Sequence, residues 1–295
     1  MSTRLLTKTD TAPATRHHAT VRVPEATRMD LEPVAPVKPA AAYIGGKKVL
    51  ARTIIERINQ IQHQSYAEPF VGMGGVFFRR DQKSRTEIIN DLSGDIANLF
   101  RILQRHYVQF MEVLKFQLTS RREFERLVAM NADTLTDLER AARFLYLQKT
   151  AFGGKVVNRA FGVKPGGYGA SFNINKLGPV LEDIHERLAR VVIECLPYQE
   201  FIARYDRPST LFYLDPPYWG TESYYGKDLF SRADFSALAE QLGTIKGQFV
   251  LSLNDVPQVR ELFGQFRISP VRVSYSISEK QQKQTGELII SNCLP

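Results

Sequence analysis

Apolar residues at Val49, Leu50, Ile54, Ile55 and Ile58 recur at helical spacing and predict a helix just after the tight turn Ile44-Gly45-Gly46-Lys47-Lys48. Tyr66 to Phe70 reads as a short strand running into Gly72, Gly74 and Gly75, and Val76-Phe77-Phe78-Arg79-Arg80 as the start of a second helix. Another strand covers Thr86 to Ile89 and ends at Asn90-Asp91, and the helix after it carries Ile96, Leu99, Phe100 and Leu103. Strand, glycine turn, helix, strand and acidic end together describe a parallel βαβ opening.

The alternation then stops for about a hundred residues. Apolar stripes through Val108 to Leu118, Phe124 to Met130 and Leu135 to Leu147 predict a small helical unit. It closes on Phe161-Gly162-Val163-Lys164-Pro165-Gly166-Gly167-Tyr168-Gly169, which reads as a loop or short hairpin. Sheet character resumes with a helix and strand over Leu181 to Ile193, and then the strand Leu211-Phe212-Tyr213-Leu214. A helix over Ala233 to Leu242, a strand over Phe249 to Leu253 and an antiparallel edge pair, Ile268 to Ser276 with Leu288 to Ser291, complete the pattern. The first 40 residues hold five prolines and no period, as expected of an arm. The expected organisation is therefore an arm over 1–40, one α/β sheet domain built from 41–105 and 180–295, and a helical insertion over 106–179.

Composition narrows the class. A chain of 295 residues, 43% hydrophobic and 24% charged, is neither disordered overall nor collagen-like. Two cysteines, Cys195 and Cys293, supply no disulfide framework or thiolate metal cluster and suit an intracellular protein. No apolar run reaches bilayer length, and the start is too polar for a secretion signal. The net charge of +8 admits nucleic acid, an acidic membrane surface or a polyanionic ligand. Most of that excess is local, since residues 101–165 hold twelve Lys or Arg against six Asp or Glu.

Two loops carry candidate chemistry. Glu68-Pro69-Phe70-Val71-Gly72-Met73-Gly74-Gly75 follows the first strand, where glycines permit a sharp turn and close approach of a ligand. Such turns also occur without any ligand. Asp91 at the next strand end can take both hydroxyls of a ribose, and serves equally well as a helix N-cap. Asp215-Pro216-Pro217-Tyr218-Trp219 is more specific, because two prolines after four strand residues forbid continuation of a ladder and hold the chain extended. A planar amine could donate one N–H to Asp215 and the other to the Pro216 carbonyl while Tyr218 stacks on its ring.

These motifs, with Tyr43-Ile44-Gly45-Gly46-Lys47, Asn90-Asp91, Tyr146 to Gly154, Ser252-Leu253-Asn254-Asp255 and Glu287 to Asn292, resemble the ordered motif set of Dam-type (D12 class) adenine-N6 DNA methyltransferases, particularly the phage and prophage branch. The resemblance covers about residues 38–294. Tyr43 stands where the family often has Trp, and Pro197 where some relatives have an acid.

The resemblance implies a Rossmann-like α/β methyltransferase sheet that uses S-adenosylmethionine and no metal, with double-stranded DNA as substrate. Tyr43, Lys47, Glu68, Phe70, Gly72, Gly74 and Asp91 are then the cofactor residues, with Lys47 near the methionine carboxylate and Asp91 on the ribose. Asp215, Pro216, Pro217 and Tyr218 would receive a flipped-out adenine for direct in-line methyl transfer. The insertion stands where this family keeps its target-recognition domain. Its candidates for DNA contact are Arg121, Arg122, Arg126, Arg140, Arg143, Lys149, Lys155, Arg159, Lys164 and Tyr168. The expected setting is the cytoplasm, at a bacterial nucleoid or in a phage-infected cell, with no membrane partner and with room for a homodimer. Cytosine-N4 methylation and an inactive DNA-binding module are the alternatives.

Overall fold

The computed structural model describes residues 31–47, 49–162, 172–224, 229–278 and 281–293. Lys164, Tyr168, most of the glycine-rich stretch and most of the arm lie outside the described residues. The strands are β1 Glu32–Pro33, β2 Ser65–Glu68, β3 Gln82–Lys83, β4 Thr86–Asn90, β5 Val192–Glu194, β6 Thr210–Leu214, β7 Gln248–Asn254, β8 Arg267–Ser278 and β9 Gln281–Ser291. The helices are α1 Ala51–Ile58, α2 Gly94–Arg105, α3 Tyr107–Leu114, α4 Arg121–Ala129, α5 Asp137–Thr150, α6 Ile174–Leu188, α7 Tyr198–Tyr205, α8 Arg232–Leu242 and α9 Pro257–Leu262.

Seven strands form one sheet in the order β5-β4-β2-β6-β7-β9-β8. The first five are parallel, and β9 and β8 close the edge antiparallel. This is the Rossmann-like α/β sheet of the sequence expectation. Its two faces follow from strict alternation. Tyr66, Ile89, Leu211, Tyr213, Val250 and Ile289 point to one face, where α1 to α6 pack. Ala67, Ile88, Phe212, Leu214, Phe249, Leu251, Leu288 and Ile290 point to the other, beneath α7 to α9.

Helices α3 to α5, expected to form a separate insertion, share the first of these cores. Phe110, Leu114, Phe124, Leu127 and Phe144 are buried in one continuous cluster with Tyr66 and Tyr213 of the sheet. Local signals fix the helix starts: Ser120 caps α4 by accepting from the Glu123 N–H, and Thr136 with Glu139 forms a reciprocal capping box on α5. Helix α6 begins at Ile174, runs through Pro179 and so crosses the junction expected at 179–180.

Among the described residues, the helix predicted from Val76 is absent. Phe77–Arg79 makes a single 3₁₀ turn where a helix was expected, and Arg80 leaves it in an extended conformation (ψ 137°). Burial of Phe77 and Phe78 together with the Arg80 guanidinium accounts for this. Arg80 lies 3.7 Å from the Tyr66 ring centroid and 2.6 Å from Glu87 Oε1, positions that continued helix would not reach.

Candidate active site

Strands β2 and β6 are parallel neighbours, and the chain winds away from this junction in opposite directions, to β4 on one side and β7 on the other. A ligand crevice is expected at the carboxyl ends of such a pair. A cavity of about 680 Å³ lies there, a size suited to a small-molecule cofactor. Its lining includes Tyr43, Lys47, Glu68, Phe70, Gly72, Asp91, Asp215 and Pro217 among the residues singled out by sequence. Gly74, Pro216 and Tyr218 are not part of that wall.

The glycines serve separate purposes. Gly72 has φ +52°, and a Cβ there would stand 3.2 Å from the Tyr43 ring, so its bareness lets Tyr43 lie over the loop. Gly74 has φ +73°, and a Cβ would fall 2.2 Å from the buried Phe78 ring. Gly74 is thus required by protein packing, where ligand approach was expected.

Asp91 accepts from the Gly72 N–H on Oδ2 and from the Ser93 N–H on Oδ1, both at 2.9 Å. It ties the glycine turn to the start of α2, and each oxygen keeps a lone pair for a ligand. Burial raises its pKa to about 6, against the two backbone donors. The preceding Asn90 is buried and joins three segments: its amide donates to the Pro69 and Leu196 carbonyls and its Oδ1 accepts from the Leu196 N–H.

At the end of β6, Lys47 Nζ is 2.6 Å from Asp215 Oδ1 and donates to the Tyr218 hydroxyl at 2.5 Å. The ammonium lies 4.2 Å from the Tyr218 ring centroid and is almost wholly buried. Lys47 thus contacts the Asp215–Trp219 loop directly. Ser252 Oγ donates to Asp215 Oδ1 at 3.2 Å and pairs with the Tyr213 hydroxyl at 3.0 Å. The Tyr218 hydroxyl in turn donates to Glu287 of β9. Asn254, at the end of β7, accepts from the Trp219 N–H and donates to the Trp219 carbonyl, so the loop is clamped on its far side. The Trp219 ring packs on Phe235 at 5.0 Å and carries the Arg232 guanidinium at 4.0 Å.

Burial raises the pKa of Asp215, while Lys47 and Ser252 pull it down. Burial also raises that of Tyr218, helped by Asp215 and Glu287, so the phenol stays protonated. Glu68 is pushed up to about 8 by burial, against the hydrogen bond from Tyr66 and the charge of Arg80. A carboxyl that burial holds well above its ordinary pKa therefore lines the same cavity.

The insertion cations divide by environment. Arg121, Arg122, Arg126 and Lys155 are exposed. Arg126 is held on Glu123 through two hydrogen bonds, and Arg140 on Asp95 at 2.6 Å. Arg143 donates to the Leu127 carbonyl and Arg159 to that of Lys155. Lys149 lines the cavity. Phe161 packs against Phe124 at 5.4 Å and under Arg121.

Three site residues, Ser252, Asn254 and Glu287, carried no assigned role at the level of sequence. Glu287 had a readable signal: it shares a strand face with Ile289, which is core, so alternation alone puts a carboxylate on a buried face.

Comparison with known proteins identifies the family. The sequence model of the D12 class N6 adenine-specific DNA methyltransferases matches residues 43–277. The Type II methyltransferase M.CviBI of Paramecium bursaria Chlorella virus NC1A is 22% identical over 231 residues, covering 77% of this chain and 86% of that protein. The Type II methyltransferase M1.LlaDCHI of Lactococcus lactis subsp. cremoris is 26% identical over 277 residues, covering 87% and 95%. The DNA N-6-adenine-methyltransferase of Escherichia phage P1 is 28% identical over 266 residues, covering 83% of this chain and 34% of the phage protein. The chain belongs to the D12 class of N6 adenine-specific DNA methyltransferases.

Proposed function

We propose that the protein transfers the methyl group of S-adenosylmethionine to the exocyclic N6 amine of adenine, within a particular sequence of double-stranded DNA and on a base turned out of the helix. The observation that carries the reading is the Asp215 carboxylate, which lines the wall of a glycine-turned cavity at the β2–β6 junction. The residues present suit the cofactor: a bare Gly72 beneath the Tyr43 ring, apolar Phe70 and a carboxylate at Asp91 with a lone pair free on each oxygen. Bound there, the cofactor supplies an electrophilic sulfonium methyl.

The adenine amine is a poor nucleophile because its lone pair is delocalised into the ring. Lys47 and Ser252 both engage Asp215 Oδ1, which leaves Oδ2 to accept one amine hydrogen. The Pro216 carbonyl accepts the other, and the two bonds favour a nitrogen whose lone pair stands out of the ring plane. Should the amine nitrogen take up that methyl group, positive charge would grow on it beside the Asp215 carboxylate, which Lys47 and Ser252 already hold in orientation. The extra proton leaves after attack, so Asp215 acts first by position and charge. Exposed Arg121, Arg122 and Lys155 suit phosphate contact, and extrusion of the base costs a few kcal/mol.

Transfer of a tritiated methyl group to mixed-sequence DNA, followed by nucleoside analysis, tests the reading. N6-methyladenine is the expected product. N4-methylcytosine, or tight DNA binding with no product, would replace it with one of the alternatives. Single-molecule methylation mapping in a methyltransferase-free host then gives the target sequence.

A further inference from the structure

The hydrogen bonds of the Lys47, Tyr218 and Glu287 side chains run in one direction. Lys47 has only donors, so the Tyr218 oxygen accepts from it. The single phenolic proton is then free to be given elsewhere, and it goes to Glu287. Glu287 is 1% exposed and fixed in register by Asn254 of β7 and Val271 of β8. A carboxylate this deep on a sheet face must be compensated by hydrogen bonds or pairing, and the Tyr218 hydroxyl is one of its donors. The same Lys47 ammonium that donates to the Tyr218 hydroxyl at 2.5 Å lies 2.6 Å from Asp215 Oδ1, so Asp215 is a second carboxylate close to the phenol.

We propose that Glu287 is a positioning residue for methyl transfer, which fixes the Tyr218 ring and draws the phenolic proton away from Asp215, so that Asp215 keeps an open oxygen for the target amine. The proposal rests on the function proposed above and extends it to a residue outside the Asp215–Tyr218 loop. With Glu287 in place, Tyr218 offers Lys47 a lone pair and offers the base a fixed face. Without an acceptor at 287, the phenolic proton turns toward the Asp215 carboxylate and competes with the amine. The ring then loses one of its two polar restraints, the other being Lys47.

The test compares Glu287→Ala, Glu287→Gln, Tyr218→Phe and Tyr218→Phe/Glu287→Ala in the full chain. Glu287→Ala should lower kcat by about ten- to a hundred-fold, the range expected when a reacting group is misplaced by up to an ångström, with KM for the cofactor little changed. Glu287→Gln keeps an oxygen acceptor and should recover most of the rate. In the Tyr218→Phe background Glu287→Ala should have little further effect, since the phenol it serves is gone. If the Ala variants fail to fold, Glu287→Leu and its pair with Tyr218→Phe replace them.

A readout without turnover separates this idea from the one beneath it. With 3-fluorotyrosine at position 218, the ¹⁹F resonance should shift or broaden in Glu287→Ala and return toward wild type in Glu287→Gln. If wild type makes no N6-methyladenine but the ¹⁹F response holds, the proposed function falls and the restraint on Tyr218 stands. If wild type methylates adenine, an unchanged kcat and resonance in Glu287→Ala overturns the role of Glu287. A loss that persists in full in the Tyr218→Phe background overturns it as well.

Discussion

Lys47 and Asp215, far apart in sequence, meet at 2.6 Å with the ammonium almost wholly buried. Burial penalises each charge alone, and pairing offsets the penalty in a medium of low dielectric. The pairing also bears on the charge state that the amine contact proposed for Asp215 requires. Burial is the largest influence on its pKa and raises it; Lys47 is the next and lowers it. Only the ionised carboxylate accepts an amine hydrogen on either oxygen.

Replacing Lys47 by Met keeps the stem and removes the charge. The raising influence on Asp215 is then unopposed except by Ser252, and its pKa moves up. The acid limb of the pH profile of kcat/KM should move to higher pH, by about one to three units for loss of an adjacent opposite charge. An acid limb at its wild-type position in Lys47→Met would show that Lys47 does not hold the charge state of Asp215.

Glu68 gives a prediction of stability against pH. Its folded pKa of about 8 lies above the ordinary 4.5, so between those values the folded state binds a proton that the unfolded chain has released. Stability therefore falls as pH rises through that window, and the loss is complete above about 8. Glu68→Gln can still accept from the Tyr66 hydroxyl and cannot ionise. Its melting temperature should match wild type near pH 4.5 and exceed it near pH 8, by an amount on the order of a few kcal/mol in unfolding free energy. Parallel melting curves across that range would refute the assignment of a neutral Glu68.

The parts that were legible in sequence are those where local chemistry dominates. The unbroken apolar run at β6 and the two prolines that end it identify a central strand with a rigid corner, since neither signal depends on partners far away. The glycine turn was equally visible, but its reasons were not. Gly74 is bare because Phe78 packs against it, and Phe78 is there because the expected helix stops after one 3₁₀ turn to bury Arg80. Lys47 illustrates the same limit. Its position after two glycines is readable, whereas its contact with Asp215 depends on how two distant loops meet at the carboxyl ends of the central strands.

The group that stops that helix makes a prediction of its own. Arg80 Nη1 lies 2.6 Å from Glu87 Oε1, and Arg187 of α6 reaches both Glu87 oxygens at 2.5 and 2.9 Å. All three side chains are buried, with Arg187 also 4.2 Å from the Phe77 ring centroid. Glu87 thus joins β4 to the last helix before the second half of the sheet. Glu87→Ala leaves two buried guanidiniums without a counter-charge and should cost about 3–5 kcal/mol. Urea unfolding followed by tyrosine and tryptophan fluorescence measures it. A cost below about 1 kcal/mol would mean that water reaches the cluster and repays the lost pair.

The insertion cations should separate into those that hold DNA and those that hold the fold. Arg121 and Arg122 open α4, are exposed, and project from a helix whose buried side is Phe124 and Leu127. Arg140 instead bridges α5 to α2 through Asp95, and Arg143 ties α5 to the Leu127 carbonyl at the end of α4. Phosphate contacts release counterions, so each one lost reduces the slope of log K against log salt concentration by about 0.9. Arg121→Ala/Arg122→Ala should therefore weaken binding to any duplex, flatten that slope by about two, and leave the melting temperature unchanged. Arg140→Ala should lower stability by up to about 1 kcal/mol and change the slope little, because its charge is already engaged by Asp95. Fluorescence anisotropy on one duplex across a salt series, with thermal melts of the same samples, reads both quantities. A steep slope retained by the double variant would move the DNA surface away from the start of α4.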